Sequence, residues 1–253
     1  MRNHFLRAAV ANAPAYVTDN LVFHIDAGDI YSYDPDDSAT TVNSLVGSIT
    51  NSSYNSNISH STSDGGYWSF EKSNPDTGDG IEFDSVTSFM PLGSSDMTYE
   101  VWAKYEYYFS VPFSLVRVLA DGSESFNLFL WTTYTQFYLY KDLDFTNNII
   151  TSSNSLSSGW QHFIITHDTS TGTVKVYING SLDTTNTDTT NWGAYSNNSN
   201  DQYLVRIGAG QAPNSGFTRM EGDISIVRFY KGKVLTATEV TQNYNAEKAR
   251  YGY

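Results

Sequence analysis

The nearest approach to a hydrolytic pair in this sequence is Glu82 and Asp84, in Ile81-Glu82-Phe83-Asp84-Ser85. Residues two apart on a strand share a face, the spacing with which an acid and a nucleophile can flank a glycosidic bond. Ser85, Val86 and Thr87 follow where a further acid would be required. The pair therefore reads as solvated surface, and no catalytic residue is expected. His162 and His167 lie five apart on one predicted strand, which puts them on opposite faces and prevents a shared metal. His167-Asp168 reads as a structural hydrogen bond in a turn. There is no Gly-x-Ser-x-Gly nucleophile elbow. Gly208-Ala-Gly210-Gln-Ala-Pro213 opens like a dinucleotide loop, but Pro213 replaces the last glycine and no helix follows. The absence of cysteine excludes disulfides, thiolate metal sites and cysteine nucleophiles.

Aromatic residues set among amides and hydroxyls offer a second chemistry. Sugar rings present C–H faces that pack on Tyr and Trp, while amide and hydroxyl groups bond their hydroxyls. The tip Trp131-Thr-Thr-Tyr134-Thr-Gln136, the cluster Tyr105-Glu-Tyr107-Tyr108 and the loop Trp192-Gly-Ala-Tyr195-Ser-Asn-Asn198 combine both types. We take Trp131, Tyr134, Gln136, Tyr107, Tyr108, Trp192 and Tyr195 as candidate contacts to a glycan or a neighbouring subunit. Trp68, Trp102, Trp160 and Phe163 are expected inside the fold.

The elements that must position these residues are strands. Ser, Thr and Asn together supply 78 of 253 residues and aromatics 15%, a composition that favours strands and turns over helix. Short β-type runs separated by turn signals recur from Leu21–Asp26 to Gly222–Tyr230, the pattern of a sandwich or barrel. Thr173–Ile178 alternates cleanly, with Val174, Val176 and Ile178 inward and Lys175 exposed, and Asn179-Gly180 follows as a hairpin turn. Residues 28–66 and 181–202 read as long polar connections. One helix is signalled: Thr236-Ala-Thr-Glu239 has capping-box spacing, Val240 and Tyr244 share a face, and Gly252 is a stop.

Four blocks carry a family resemblance. Leu21-Val-Phe-His-Ile-Asp-Ala27 resembles the opening strand of concanavalin A-like, laminin-G-type domains, and Met97-Thr-Tyr-Glu-Val-Trp102 the strand with a buried Trp. Gly159-Trp-Gln-His-Phe163 with Val176-Tyr-Ile-Asn-Gly180 resembles the central hairpin, and 221–252 the closing strand and helix. The resemblance implies an all-β jelly-roll sandwich of two antiparallel sheets over 19–253, with a short C-terminal helix and an arm at 1–18. Its Asn-Tyr-Asn-Ala ending is similar to versions in virion proteins of tailed phages. That implies a non-enzymatic structural protein (capsid decoration, fibre or tail-associated subunit) in contact with other virion proteins and with host surface polysaccharide. A carbohydrate-binding adhesin is the alternative, and a glycan-cleaving enzyme stands third. Relatives of this type bind calcium through Asp and Asn oxygens, and Asp34-Pro-Asp36-Asp37 is the compact acidic loop that would hold it. That loop reads first as solvated surface, so no cofactor is expected, with calcium the alternative.

Charge bears on partners. The net charge of −13 disfavours nucleic acid, and no run approaches the length of a membrane span. Arg7 interrupts the first apolar run and Pro14 follows Ala11-Asn12-Ala13, so no cleaved secretory signal is expected; location on the virion is what the resemblance implies. Residues 1–18 carry two arginines and no acid, residues 206–253 seven basic and four acidic side chains, and residues 19–205 five basic and 23 acidic. Arg2, Phe5, Leu6, Arg7, Lys231 and Lys233 are therefore the expected attachment residues, in a multicopy assembly or homo-oligomer.

Overall fold

The computed structural model describes residues 15–36, 40–54, 58–70, 80–84, 95–105, 112–118, 124–132, 137–140, 148–153, 157–187, 202–209 and 220–253. Within 115–118, 124–132, 137–140, 148–149 and 202–203 the description is of the backbone. The strands are β1 (Leu21–Asp26), β2 (Ser53–Tyr54), β3 (Ile58–Ser61), β4 (Tyr67–Phe70), β5 (Ile81–Phe83), β6 (Met97–Tyr105), β7 (Phe113–Val118) and β8 (Glu124–Thr132). There follow β9 (Phe137–Tyr140), β10 (Asn148–Thr151), β11 (Gln161–Asp168), β12 (Thr173–Ile178), β13 (Ser181–Thr187), β14 (Gln202–Ile207) and β15 (Gly222–Lys231), then helix α1 (Ala237–Glu247).

Two antiparallel sheets form. One runs β13-β12-β11-β6-β15-β4-β3, with β1 also on β15; the other runs β10-β9-β8-β7-β14-β5-β2. The ten residues of β15 let β4 and β1 pair one after the other, β4 at Gly222–Ile224 and β1 further along. The opening and closing strands are thus partners.

Alternation explains the core. Phe23 and Ile25, Val101 and Ala103, Phe163 and Ile165, Val174 and Val176 and Val227 and Phe229 meet Ile81, Phe83, Phe113, Val205 and Ile207 of the other sheet in one buried cluster. Trp68 and Phe163 lie in it, as expected. Trp102 and Trp160 are buried elsewhere, with Ile226 and Tyr251 in a separate cluster that Tyr244 of α1 joins. The sheet containing β6 is covered on both faces, by its partner sheet and by α1 with the residues that follow it.

That second cover alters one expectation. Val174 and Val176 are buried, but Tyr177 is buried too, in a cluster with Leu235 and Val240, while Lys175 and Ile178 are half-buried. Lys175 is not exposed as the alternation predicted, because it shares a face with Tyr177, which Leu235 and Val240 cover. The polar stretches 28–66 and 181–202 also hold strands, contrary to their reading as connections. β13 is an edge strand paired only to β12, so its threonines need no buried face; β3 is the other edge of that sheet and buries only Ile58.

Turns and caps follow the sequence. Asn179 and Gly180 have φ of 50° and 78°, the left-handed pair a two-residue hairpin requires. Asp168 accepts from the backbone of Ser170 and Thr171, closing the preceding turn. Thr236 and Glu239 form the reciprocal capping box of α1.

Candidate functional site

One row of paired residues crosses the second sheet from edge to edge. Ser53 lies opposite Glu82, Glu82 opposite Arg206, Arg206 opposite Ser114, Ser114 opposite Phe129, Phe129 opposite Tyr140 and Tyr140 opposite Asn148. The flanking residues Ile81, Phe83, Phe113, Val205 and Ile207 belong to the core, so alternation places the row on the face turned away from the other sheet. In the same way Leu115 pairs with Leu128 and Leu130 with Leu139, leaving positions 129, 131, 138 and 140 on the outer side. Trp131 lies opposite Tyr138, beside the Phe129–Tyr140 pair. The row thus divides into a polar half on β2, β5, β14 and β7 and an aromatic half on β8 and β9.

The polar half is preorganised. Arg206 Nε donates to Glu82 Oε1 at 2.6 Å, with side-chain exposures of 7% and 32%. Ser52 fixes the backbone beneath the carboxylate, its N–H donating to the Glu82 carbonyl at 2.7 Å. Ser114 Oγ donates to the Ala209 carbonyl at 2.8 Å. Ser114 and Arg206 are buried, so at this end the row presents Ser53 and Glu82, while the other end is defined by the aromatic positions of β8 and β9.

A second constellation of ionisable groups lies on the opposite side of the molecule and is closed to solvent. Arg228 donates to Glu100 at 2.9 Å, to Glu247 of α1 at 2.7 Å and to His24 Nε2 at 3.1 Å, and its guanidinium lies 3.9 Å from the centre of the Tyr16 ring. Asn243 Nδ2 donates to Glu100 at 2.7 Å, and His162 Nε2 stands 3.0 Å from the same carboxylate. Burial alone would push the Glu100 carboxyl up; Arg228, His162 and Asn243 outweigh it and hold it at about 2. Burial, reinforced by Arg228, lowers His24 to about 3. Perturbed carboxylates and histidines often mark active sites, but Glu100, His162 and Arg228 have no exposed side-chain surface. This cluster docks α1 onto the sheet.

The expected site residues separate. The structure carries Trp131 into β8, so it lies within a strand and not on a loop tip. Tyr134, Gln136, Tyr107, Tyr108, Trp192 and Tyr195 lie outside the described residues, as do Arg2, Phe5, Leu6, Arg7 and Asp37. Tyr105 is buried. Asp34 is occupied in its own loop, accepting from the Asp36 backbone at 3.0 Å, and among the described residues no group of three metal-ligating side chains gathers. Lys233 is not a free attachment cation: it pairs with Asp19 at 3.0 Å and Glu239 at 2.8 Å. Arg250 is likewise held by Asp26 at 2.6 Å. The positions the sequence reading missed are Phe129, Tyr138, Tyr140 and Arg206. Leucines alternating with aromatics in Leu128-Phe129-Leu130-Trp131 and Phe137-Tyr138-Leu139-Tyr140 were the available signal.

Comparison with known proteins agrees with this architecture. The family model of the concanavalin A-like lectin/glucanases superfamily, Laminin_G_3, matches residues 75–241. No curated protein matches the sequence. Trypanosoma rangeli sialidase in complex with 2,3-difluoro-KDN is similar with a TM-score of 0.64 and 11% identity, over 94% of this chain and 34% of the sialidase. The chain therefore spans about a third of that protein's length. Domain 4 of AbnA, a GH43 extracellular arabinanase from Geobacillus stearothermophilus in complex with arabinotriose, gives 0.58 at 18% identity, over 89% of this chain and 98% of the domain. The CBM40 of Ruminococcus gnavus IT-sialidase, bound to α2,3-sialyllactose, gives 0.51 at 14% identity, over 68% and 96%. At these identities the likeness is one of fold.

Proposed function

Because the chain belongs to the concanavalin A-like lectin/glucanases superfamily, we propose that it is a carbohydrate-binding module without hydrolytic activity. The observation that carries this reading is the row from Ser53 to Asn148. At a strand spacing of about 4.8 Å, seven strands span roughly 29 Å, room for several sugar units in line. Ser53 and Glu82 at one end and the aromatic positions of β8 and β9 at the other would supply the two kinds of contact a sugar takes. Two of the similar structures are small domains bound to arabinotriose and sialyllactose, which supports the reading by analogy of fold.

A binding role is favoured over cleavage because the row contains one carboxylate, Glu82, and that carboxylate is committed to Arg206. A glycosidase requires two in defined separation. Binding is proposed to need no cofactor, so chelation of calcium should leave it unchanged. Calorimetric titration with a panel of oligosaccharides tests the reading. Saturable binding, lost in Tyr140→Ala with melting temperature retained and without release of reducing ends, is the expected result. Turnover abolished by Glu82→Gln would replace it with an enzymatic one.

The proposal extends to where the module works. Asn243-Tyr244-Asn245-Ala246 and the Arg250-Tyr251-Gly252 close resemble endings of tailed-phage virion proteins. We place the protein on such a particle in many copies, as a decoration, fibre or tail subunit presenting its glycan face to host polysaccharide. Mass spectrometry of purified particles with copy-number measurement tests this placement.

A further inference from the structure

We infer that the turn at 29–36 receives the N-terminal arm of a second copy of this chain, Ile30 and Tyr31 packing on Phe5 and Leu6 while the aspartates of the turn pair with Arg2 and Arg7. The inference rests on the multicopy reading and is independent of glycan binding. Among the described residues, the large apolar side chains left in water are Ile30 at 52% exposed, Tyr31 at 81%, Leu182 at 54% and Tyr253 at 48%. Ile30 and Tyr31 are the two that stand side by side. Contiguous apolar surface marks a contact site where scattered single residues do not.

The turn that presents the pair is fixed from beneath. Asp29 Oδ1 accepts from the Tyr31 N–H at 2.9 Å, and the Asp29 carbonyl accepts from the N–H groups of Ser32 and Tyr33, each at 2.9 Å. Ser32 is buried, its Oγ accepting from the Asp26 N–H and donating to the Asn43 carbonyl. Tyr33 lies in the inter-sheet core, edge-on to Trp68. Ile30 and Tyr31 are therefore held outward by a turn whose next two residues are anchored inward. An apolar anchor already in its bound shape loses little freedom on contact.

Charge selects the occupant. Asp29, Asp34 and Asp36 flank the exposed pair, and among the described residues no Lys or Arg pairs with any of them. Segment 2–7 is the converse: Phe5-Leu6 stands between Arg2 and Arg7, with no acid anywhere in 1–18. The rest of the chain does not offer this match, since residues 19–205 carry 23 acidic and five basic side chains. Two such bodies repel over a broad face, whereas a basic arm is drawn to an acidic turn. The arm also has the reach. Ala15 is tied to Gln242 of α1, and the eight residues from there back to Arg7 span up to about 28 Å when extended.

The experiment measures self-association of the full chain by analytical ultracentrifugation, from about 1 μM to about 1 mM. Arg2→Glu/Arg7→Glu disables the arm, and Ile30→Ser/Tyr31→Ser disables the turn. Wild type should self-associate, and each double variant should do so at least about tenfold more weakly with its melting temperature retained. An equimolar mixture of the two variants should form a complex with one copy of each, because one keeps the turn and the other keeps the arm. Should Ile30→Ser/Tyr31→Ser fail to fold, Asp34→Asn/Asp36→Asn takes its place, removing charge while keeping the side-chain acceptor of the turn. A wild type monomeric throughout, its arm folded on its own copy or kept for another protein, would overturn the inference. Self-association that persists in either variant would assign the contact to another face and overturn it too, as would a mixture that stays monomeric. Copy number on purified particles keeps the multicopy reading separate: many copies of a chain that is monomeric in solution would overturn this contact alone.

Discussion

Arg228 donates to Glu100 at 2.9 Å with neither side chain exposed, beneath a helix that contributes a second carboxylate, Glu247, to the same guanidinium. Ion pairs taken fully out of water gain little as pairs, but breaking one leaves a buried charge uncompensated. Arg228→Met should therefore cost about 3–5 kcal/mol in chemical denaturation. Adding Glu100→Gln to that background should restore part of the loss, because the stranded anion disappears. A double variant less stable than the single one would contradict this account.

The same cluster makes stability depend on pH. His24 accepts from Arg228, so its Nε2 must be unprotonated in the folded state. Tyr16 packs on its ring, and Arg228, Asp26, Glu100 and Arg250 act on it electrostatically from the surrounding elements. Its pKa falls from 6.5 to about 3 on folding, so the folded state binds fewer protons. The stability it contributes is complete above about pH 6.5 and is lost as the pH falls toward about 3, by about 1.4 kcal/mol per unit. Glu100, lowered from 4.5 to about 2, adds a further loss below about pH 4.5. Denaturation midpoints should decline from pH 7 to 4, and His24→Gln should flatten the upper part of that decline. An unchanged slope in the variant would assign the acid sensitivity elsewhere.

Trp160 is 6% exposed, packs on Tyr67 and Tyr251, and donates from Nε1 to Asp64 at 3.0 Å. Truncation to Ala empties this site and leaves the Asp64 carboxylate without its donor. A cost of about 3–5 kcal/mol is expected. Because the residue lies outside the inter-sheet core, the loss should be accompanied by faster hydrogen exchange in the residues after α1. Exchange unaltered there would place its packing role elsewhere.

The fold was legible wherever one rule governed a segment. Period-two alternation located β12, β-type runs between turn signals located β6, β11 and β15, and the Asn-Gly turn and capping box marked their own boundaries. Edge strand β13 escaped because it buries no face, so Thr and Asn there obey no pattern. Trp102 and Trp160 were correctly put inside, but strand periodicity could not tell that they pack under the C-terminal segment and not between the sheets. The site was harder still. Trp131 was picked out with Tyr134 and Gln136 as a tip, whereas it lies within β8 beside a row formed by residues from seven strands. Glu82 was read with Asp84, its neighbour along the chain, while its partner in space is Arg206, 124 residues away. Cross-strand pairing of that range leaves no local trace in a sequence.

The last prediction concerns the N-terminal arm. Its final residues lie on their own domain: Gln242 of α1 donates to the Ala15 carbonyl at 2.7 Å, Val17 N–H donates to Asn243 at 2.8 Å, and Tyr16 packs against Arg228 and His24. Deleting residues 2–18 should therefore destabilise the protein by removing contacts to the buried cluster, and its effect on assembly would be uninformative. Deleting residues 2–14 spares those contacts while removing Arg2, Phe5, Leu6 and Arg7. Lys233 and Arg250 are neutralised by Asp19, Glu239 and Asp26, which leaves Arg2 and Arg7 as the arm's proposed basic contacts with an acidic partner. The shorter deletion should keep the wild-type melting temperature and monodispersity and lose incorporation into particles, with association of the full chain weakening as salt rises. Incorporation of the 2–14 deletion at full copy number would remove the arm from the attachment mechanism.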